Sequence, residues 1–334
     1  MKVLITGGNG FLGRAVCRRL TEAGHDARSF HRHHSPELTA LGIRQHLGDL
    51  RDADAVGRAT AGCEAVVHAA ARVAQGGAPA PFFGVNVTGT RHVLDACRRH
   101  GVGVLVHTSS PSVVFAGADI AGDDESLPYA PAPLGPYAAS KAVAERLVLA
   151  ANGPDLATAA LRPHWIWGPG DPHFAPRLTR AARSGLFPVP GGGRKPVDTV
   201  HIENAALAHL LALDRVRPGT PAAGRPYFVT QGEPRPLARF LAGFFAALGY
   251  HPRLVPVPGV LARAAATLCE GGWAALRLPG APPLTRMTVA SGALATWFDI
   301  GAARTLLGYR PVLTTDQGFA GLRAARRRAA GCGG

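Results

Sequence analysis

The sequence predicts an α/β fold, a doubly wound parallel sheet with a smaller C-terminal cap. Three observations support this prediction. Short β-branched runs alternate with helical periodicity over residues 2–162, and a glycine-rich turn joins the first run to the first helix. After Gly168 the composition changes, because prolines and glycines become frequent. Strands that alternate with helices are typical of a parallel sheet that helices cover on both faces.

The individual elements follow in a regular order. Residues 2–6 predict a buried strand, and residues 11–23 predict a helix whose apolar side chains share one face. Gly24 is the stop signal of that helix. Further strands are predicted at 26–30, 43–47, 65–69, 102–107 and 156–162, and further helices at 52–61, 86–100 and 137–151.

The same pattern divides the chain into two parts. Residues 1–168 are expected to form the sheet domain, to which residues 197–214 return. Residues 169–196 and 215–325 are expected to form the cap, which would bind substrate, and residues 326–334 a flexible tail. Residues 254–279 are apolar with few charges, which fits core packing, contact with an apolar substrate, or an amphipathic helix on a membrane surface.

Composition excludes several classes of protein. With 334 residues, 47% hydrophobic and 17% charged, the chain is expected to bury a large core. The net charge of +14 comes mainly from arginines that are scattered rather than clustered, so no nucleic-acid partner is predicted. No 20-residue apolar run and no leader-like opening is present, so a cytoplasmic protein is expected. Five cysteines without metal-ligand spacing predict reduced thiols and no metal site.

The glycine-rich turn predicts a dinucleotide site of the Rossmann type. Gly7 would allow the tight turn, Gly10 would let the backbone approach a pyrophosphate, and Gly13 would let the helix pack closely on the strand. The pyrophosphate would rest on the helix N-terminus, beside Phe11 and Leu12.

Residues at the ends of later strands complete this predicted site. The small residues Ala69 and Ala70 would leave room for a ribose. Asp49, followed by Leu50, could accept from the adenine amino group, and the alternative role for Asp49 is a helix N-cap. Residues 29–34, at the end of the second strand, contain no carboxylate but do contain Arg32. NADP(H) is therefore the favoured cofactor and NAD(H) the alternative.

Tyr137 and Lys141 form the candidate catalytic pair. Four residues apart on a helix, they share a face, and an ammonium near a phenol is expected to lower the phenol pKa. Such a tyrosine can exchange a proton with a substrate oxygen. The fifth predicted strand leads to Ser109 and Ser110, of which Ser110 is favoured to hold the substrate carbonyl.

Three segments carry a resemblance to a known family. The turn TGGNGFLG, the run NVTGTRHVLDAC at 86–97 and the motif YAASK resemble those of extended short-chain dehydrogenase/reductases, and the resemblance covers nearly the whole chain. It implies that Ser110, Tyr137 and Lys141 are catalytic and that Lys141 also bonds the nicotinamide ribose. It implies a structural or cofactor-adjacent role for Asn86, and a homodimer through the helices at 86–100 and 137–151.

The branch within this superfamily is indicated by later segments. LRPHWIWGPG at 161–170 and VHIENAALAHLLAL at 200–213 resemble the 3β-hydroxysteroid dehydrogenase branch. The first of these segments implies that Pro163 and Ile166 lie against the nicotinamide. Trp165, of the same segment, and Pro111, which follows Ser110, are the further predicted substrate contacts. LRPHWIWGPGDPHFAPRL and LRLPGAPPLTR are similar to the bacterial 2-alkyl-3-oxoalkanoate reductases of olefin biosynthesis.

The expected activity is therefore reduction of a ketone on an apolar small molecule, a long-chain 2-alkyl-3-oxoalkanoate in the favoured case. Three alternatives stay open from the sequence. A 3β-hydroxysteroid or sterol-4-carboxylate dehydrogenase would oxidise a hydroxyl group. A nucleotide-sugar epimerase or dehydratase would hold NAD tightly. A non-enzymatic regulator would bind NADPH without turnover, although the complete Ser110, Tyr137 and Lys141 set argues against it.

Overall fold

The computed structural model describes residues 1–74, 76–276, 278, 280 and 282–331. The strands are β1 (Lys2–Thr6), β2 (Asp26–His31), β3 (Arg44–Leu47), β4 (Ala65–His68), β5 (Val104–Thr108), β6 (Ile120–Asp123), β7 (Ala157–Pro163), β8 (Ile166–Trp167), β9 (Leu186–Pro190), β10 (Pro196–Val197), β11 (Val200–His201), β12 (Arg225–Val229), β13 (Arg235–Pro236), β14 (Arg253–Val257) and β15 (Thr296–Phe298). The α-helices are α1 (Phe11–Glu22), α2 (Pro36–Ala40), α3 (Ala53–Thr60), α4 (Pro79–Phe83), α5 (Gly89–Arg99), α6 (Pro136–Ala150), α7 (Phe174–Ala182), α8 (Ile202–Arg215), α9 (Leu237–Leu248), α10 (Gly259–Ala275), α11 (Arg286–Ala293) and α12 (Thr315–Gly331).

Seven of these strands form one parallel sheet in the order β3-β2-β1-β4-β5-β7-β12. The chain order reverses between β1 and β4, which is the position where doubly wound sheets bind ligands. The predicted fold class is therefore confirmed. The carboxyl ends of β1, β4, β5 and β7 meet at one edge, which brings four distant parts of the sequence together.

Alternation along the strands covers both faces of the sheet. In β1, Val3 and Ile5 enter one core with α1 and α8, and Leu4 enters a second core with α3 and α5. Each of these three side chains is at most 1% exposed. A strand with both faces covered is apolar at each position, as residues 3–5 are.

Three segments bear on the predicted division of the chain into a sheet domain and a cap. Residues 197–214 contact the sheet domain through α8, which packs on α1, β5 and β7, but they add no strand to the main sheet, and β10 and β11 belong to small sheets. The seventh strand of the main sheet is instead β12, which falls within the range predicted for the cap and pairs with β7. Residues 326–331, predicted as part of a flexible tail, continue helix α12, and residues 332–334 lie outside the described residues.

Small sheets and the helices α7, α9, α10, α11 and α12 lie outside the main sheet and its covering helices. A four-stranded sheet has the order β13-β10-β15-β6, and two strand pairs, β11 with β8 and β14 with β9, accompany it. An aromatic cluster of Trp167, Phe240, Phe244 and Phe319 fills the space between α9 and α12. Within the described ranges, no helix combines the length and the apolar character needed to cross a membrane.

Of the three roles that fit the apolar segment 254–279, core packing accounts for only a small part of helix α10. Its buried residues are Ala262 and Ala266, which pack near α11. The large side chains of Val260, Leu261 and Leu268 are 81%, 63% and 77% exposed. An outward apolar face of this kind is unusual on a protein without a partner or ligand for it.

Candidate active site

The glycine turn at the end of β1 fits a dinucleotide. Gly7 has a φ of +72°, and a Cβ there would lie 2.8 Å from the Cα of Ala70. A Cβ on Gly13 would lie 2.1 Å from the Gly7 carbonyl oxygen, so helix and turn are in contact. Gly10 precedes α1 without a side-chain cap, which leaves the first N–H groups of the helix free for an anion.

The neighbouring strand ends bring the predicted ribose contacts to this turn. The Ala70 N–H donates to the Thr6 hydroxyl oxygen at 3.2 Å, so Ala69 and Ala70 lie beside the turn. Phe11 and Leu12 are partly exposed in the first turn of α1. His68, one residue before Ala69, is buried between the hydroxyls of Thr6 and Thr90, as expected for a packed histidine.

Two predicted cofactor contacts have other partners. The Leu50 side chain is buried in the core of the sheet domain, so only its backbone faces the site, and its carbonyl accepts from His92. The Asp49 carboxylate binds the Arg51 guanidinium at 2.8 Å, which holds the pKa of Asp49 at about 2. Asp49 does not cap α3, since the cap is Asp52. An adenine amino group would therefore compete with Arg51 for Asp49.

Arg32 follows β2 directly and is exposed. Its charge contributes to lowering the pKa of Asp49, so the two residues are neighbours at this edge of the sheet. Asp49 is already neutralised by Arg51, which leaves the Arg32 guanidinium available for a further anion. This arrangement is consistent with a 2′-phosphate contact.

Tyr137 and Ser110 meet between β5 and α6. Ser110 lies two residues after β5, its hydroxyl oxygen accepts from the Ser112 N–H at 3.2 Å, and Pro111 opens a short 3₁₀ turn. Burial raises the pKa of Tyr137, and a hydrogen bond with Ser110 opposes that rise. Ser109 is buried and its hydroxyl has no partner among the described residues, so Ser110 is the hydroxyl that faces Tyr137.

The surroundings of Lys141 differ from the expectation that its ammonium lowers the pKa of Tyr137. Its Nζ donates to the Thr108 carbonyl oxygen at 2.6 Å and to Nε2 of His107 at 3.0 Å. Burial lowers the pKa of Lys141 to about 7, and Glu145 opposes this shift. The predicted lowering of the Tyr137 pKa by the ammonium is not seen; the groups that shift it are the buried surroundings and Ser110.

A buried ion pair lies one helical turn beyond Lys141. The Glu145 carboxylate accepts from Arg162 of β7 at 2.6 Å, and their side chains are 0% and 2% exposed. The Tyr129 hydroxyl also donates to Glu145, at 2.9 Å. Helix α6 is therefore fixed to β7 by charge as well as by packing.

Asn86 links the loop after β4 to the catalytic helix. Its amide accepts from the Arg72 N–H at 2.7 Å and donates to the Ser140 hydroxyl at 2.9 Å. The residue is buried in a π-helical segment, Gly84–Thr88, that leads into α5. The resemblance implies a structural or a cofactor-adjacent role for Asn86, and the hydrogen bonds in the structure are those of a structural role.

The segment after β7 turns sharply at Trp165. Trp165 has a φ of +39°, a region that a bulky residue rarely occupies, and backbone strain of this kind clusters at functional sites. Its ring packs on His164 and Phe174, at 5.1 and 5.6 Å between centroids. Pro163 ends β7 at the carboxyl edge of the main sheet, and Ile166, three residues later, begins β8, which pairs with β11 in a separate small sheet.

His107, Glu145 and Arg162 are functional candidates that sequence reasoning missed. The i, i+4 spacing of Lys141 and Glu145 was a usable signal, since it places a carboxylate on the catalytic face of the helix. His107 and Arg162 gave no local signal, because their partners come from other elements.

Comparison with known proteins supports an oxidoreductase site. The model of the 3-beta hydroxysteroid dehydrogenase/isomerase family matches residues 4–258. A 2-alkyl-3-oxoalkanoate reductase of Stenotrophomonas maltophilia is 44% identical over 97% of this chain and 99% of its own. The protein of the same name from Shewanella oneidensis is 39% identical over 96% and 85%. A short-chain dehydrogenase/reductase superfamily protein from Agrobacterium tumefaciens, solved with bound NAD, has a TM-score of 0.77 at 22% identity and covers 100% and 99% of the two chains.

Proposed function

Because the chain belongs to the 3-beta hydroxysteroid dehydrogenase/isomerase family, we propose that it reduces the 3-keto group of a long-chain 2-alkyl-3-oxoalkanoate with NADPH. The chain is an oxidoreductase of a family that uses nicotinamide dinucleotides. The observation that carries the substrate proposal is the match to relatives of that name over nearly the full length of both chains. A role in lipid metabolism within the cytoplasm follows from the same proposal.

The residues of the site have distinct tasks in this reaction. NADPH, when bound on the glycine turn beside Pro163 and Ile166, supplies hydride. The Tyr137 hydroxyl gives its proton to the substrate oxygen, and a pKa raised by burial keeps that proton in place at neutral pH. Ser110 accepts from the Ser112 N–H and shares a hydrogen bond with Tyr137, and in the proposed reaction its hydroxyl proton turns from Tyr137 to the same substrate oxygen. We propose that Lys141 bonds the nicotinamide ribose and, once the cofactor is bound, favours the phenolate left on Tyr137, although Lys141 is not among the groups that shift the Tyr137 pKa in the structure.

The substrate is tested by following NADPH absorbance. We expect turnover with 2-alkyl-3-oxoalkanoates, and with the matching 3-hydroxy acids plus NADP⁺ in reverse. Steroid ketones and nucleotide sugars serve as competing substrates in the same assay. Preferred turnover of a steroid would replace the proposed substrate, and tightly bound NAD in the purified protein would favour an epimerase.

Replacing Arg32 with alanine is expected to raise the KM for NADPH about 10- to 100-fold, the equivalent of losing one charge-assisted hydrogen bond. The KM for NADH should change little, because NADH has no 2′-phosphate. Steady-state kinetics with both cofactors measures this. Arg58→Ala, an exposed arginine of the same domain, is the matched control. Equal loss with both cofactors, or a wild-type preference for NADH, would contradict the NADP(H) assignment.

We further propose a homodimer through α5 and α6. A groove between these helices is lined by Arg91, Leu94, Leu147 and Ala151 among others, with a volume of about 260 Å³. A second copy could fill it with the same helices related by twofold symmetry. Light scattering should then give twice the chain mass of 34.6 kDa. A monomer at micromolar concentration would overturn the dimer.

We also propose peripheral membrane contact through the exposed face of α10. Residues 234–298 contain six arginines and one acidic residue, Glu270, so the apolar face lies in a basic region. An apolar face with basic surroundings favours anionic lipid surfaces. Co-sedimentation with phosphatidylglycerol vesicles should fall clearly in Leu261→Ser/Leu268→Ser, while the exposed Val312→Ser serves as control. Equal sedimentation of all variants would refute this contact.

A further inference from the structure

We propose that His107 is a positioning residue for the reaction, whose imidazole Nε2 holds the Lys141 ammonium at the carboxyl end of β5. The consequence for catalysis rests on the proposed function, because there Lys141 acts through Tyr137. Nothing in the glycine turn or the Tyr137 motif requires a histidine at this strand position.

The geometry gives Lys141 two acceptors from β5. Nζ lies 3.0 Å from Nε2 of His107 and 2.6 Å from the Thr108 carbonyl oxygen, and these are its hydrogen-bond partners among the described residues. The lysine side chain is 2% exposed, so water does not replace a lost partner. These hydrogen bonds hold two of the three ammonium N–H groups at β5, so the third is free for the Tyr137 side of the site.

The imidazole is arranged for this contact alone. An ammonium donates only, so Nε2 must be unprotonated and the ring proton must sit on Nδ1. His107 Nδ1 is buried without a hydrogen-bond partner in the described chain. His68, whose ring lies 5.1 Å away, has both nitrogens satisfied by threonine hydroxyls. His107 therefore differs from His68 in that Lys141 is the one hydrogen-bond partner of its ring among the described residues.

The electrostatics of the pair support the same role. Burial lowers the pKa of Lys141 to about 7, so at neutral pH a single acceptor influences how much ammonium is present. Burial and the Lys141 charge hold the pKa of His107 well below its usual range, so the ring stays a neutral acceptor. The other titratable groups that act on the pair are Glu145 on α6, His68 on β4 and His209 on α8. Tyr137 lies one helical turn before Lys141 on α6.

The scarcity of lysine allows a direct test. The chain has three lysines, Lys2, Lys141 and Lys195, so ¹³Cε-lysine labelling gives three resonances in the full-length protein. Lys141→Arg assigns the Lys141 resonance by its loss. In His107→Phe the titration midpoint of Lys141 should fall by roughly one pH unit, since an acceptor is removed and burial is kept. His107→Gln should restore the midpoint, because its carboxamide oxygen can accept.

A matched control separates this role from structural damage. His209 is equally buried and bonds the Thr108 hydroxyl at 2.8 Å, but its ring nitrogens contact Thr108 and Ala205 rather than Lys141. His209→Phe should leave the Lys141 midpoint in place. If His107→Phe does not fold, His107→Asn replaces it, because its shorter side chain does not reach Nζ. An unchanged Lys141 midpoint in folded His107→Phe, or in folded His107→Asn where that variant replaces it, would overturn the positioning role.

Kinetics connects the role to catalysis. In reduction, kcat should fall as pH rises through the Lys141 midpoint, because the ammonium is lost. His107→Phe should move that fall to lower pH by the same amount, and His107→Gln should move it back. A shifted Lys141 resonance without turnover of the proposed substrate would leave the His107 contact standing and reject the substrate. A kcat profile that stays unchanged while the resonance shifts would overturn the catalytic part of the role.

Discussion

Replacing Tyr137 with phenylalanine is expected to lower kcat for ketone reduction by a factor of about 10²–10⁴, with NADPH binding nearly unchanged. The phenol is the proton donor that Ser110 faces, and phenylalanine keeps the packing while removing that proton. The glycine turn lies on another strand and does not depend on this hydroxyl. NADPH oxidation measures kcat, and quenching of tryptophan fluorescence measures the Kd of the cofactor.

Tyr250→Phe is the control for this experiment. Tyr250 lies in the cap at the end of α9, away from β5 and α6, and its loss of a hydroxyl should leave kcat unchanged. Retention of more than about a tenth of the wild-type kcat in Tyr137→Phe would reject Tyr137 as the acid. A parallel loss of NADPH binding would instead indicate that the side chain organises the cofactor site.

The elements of the sheet were predictable where their own residues carry the signal. Strand β1 is a short β-branched run that ends at glycine, and its predicted bounds coincide with those in the structure. Strand β12, with the sequence RPYFV, contains an arginine and a proline and is identified as a strand only by its pairing with β7. The environment of helix α10 was also not predictable from its own residues, because apolar composition does not reveal whether Leu261 faces a core or solvent.

The residues of the site also divide into those that local spacing predicts and those whose partners it does not reveal. Tyr137 and Lys141 are four residues apart on one helix, so local spacing predicts them as a pair. The contacts that set their chemistry are not local, since His107 reaches Lys141 across 34 positions from β5. Arg51 bonds Asp49 from two residues away, yet no pattern distinguishes that bond from an adenine contact. Sequence patterns therefore predicted the reacting groups better than the surroundings that tune them.

Replacing Glu145 with glutamine is expected to destabilise the protein by about 3–5 kcal/mol, because Arg162 would remain buried without its counter-charge. The pair is 0% and 2% exposed, so solvent does not screen it. The thermal midpoint should fall by about 4–7 °C for a chain of this length, measured by calorimetry. Glu22→Gln removes an exposed i, i+4 pair with Arg18 and should cost only about 0–1 kcal/mol.

A double variant separates the stability role of Glu145 from its effect on Lys141. Glu145→Leu/Arg162→Met removes both buried charges and should recover most of the stability, since an apolar pair can replace a buried ion pair. Activity should not recover with it. Glu145 raises the pKa of Lys141 against the effect of burial, so without Glu145 the ammonium is lost at lower pH. Turnover at pH 7 should stay low in both variants and rise again as the pH is lowered. Full activity at pH 7 in the stable double variant would show that the charge of Glu145 does not act on Lys141.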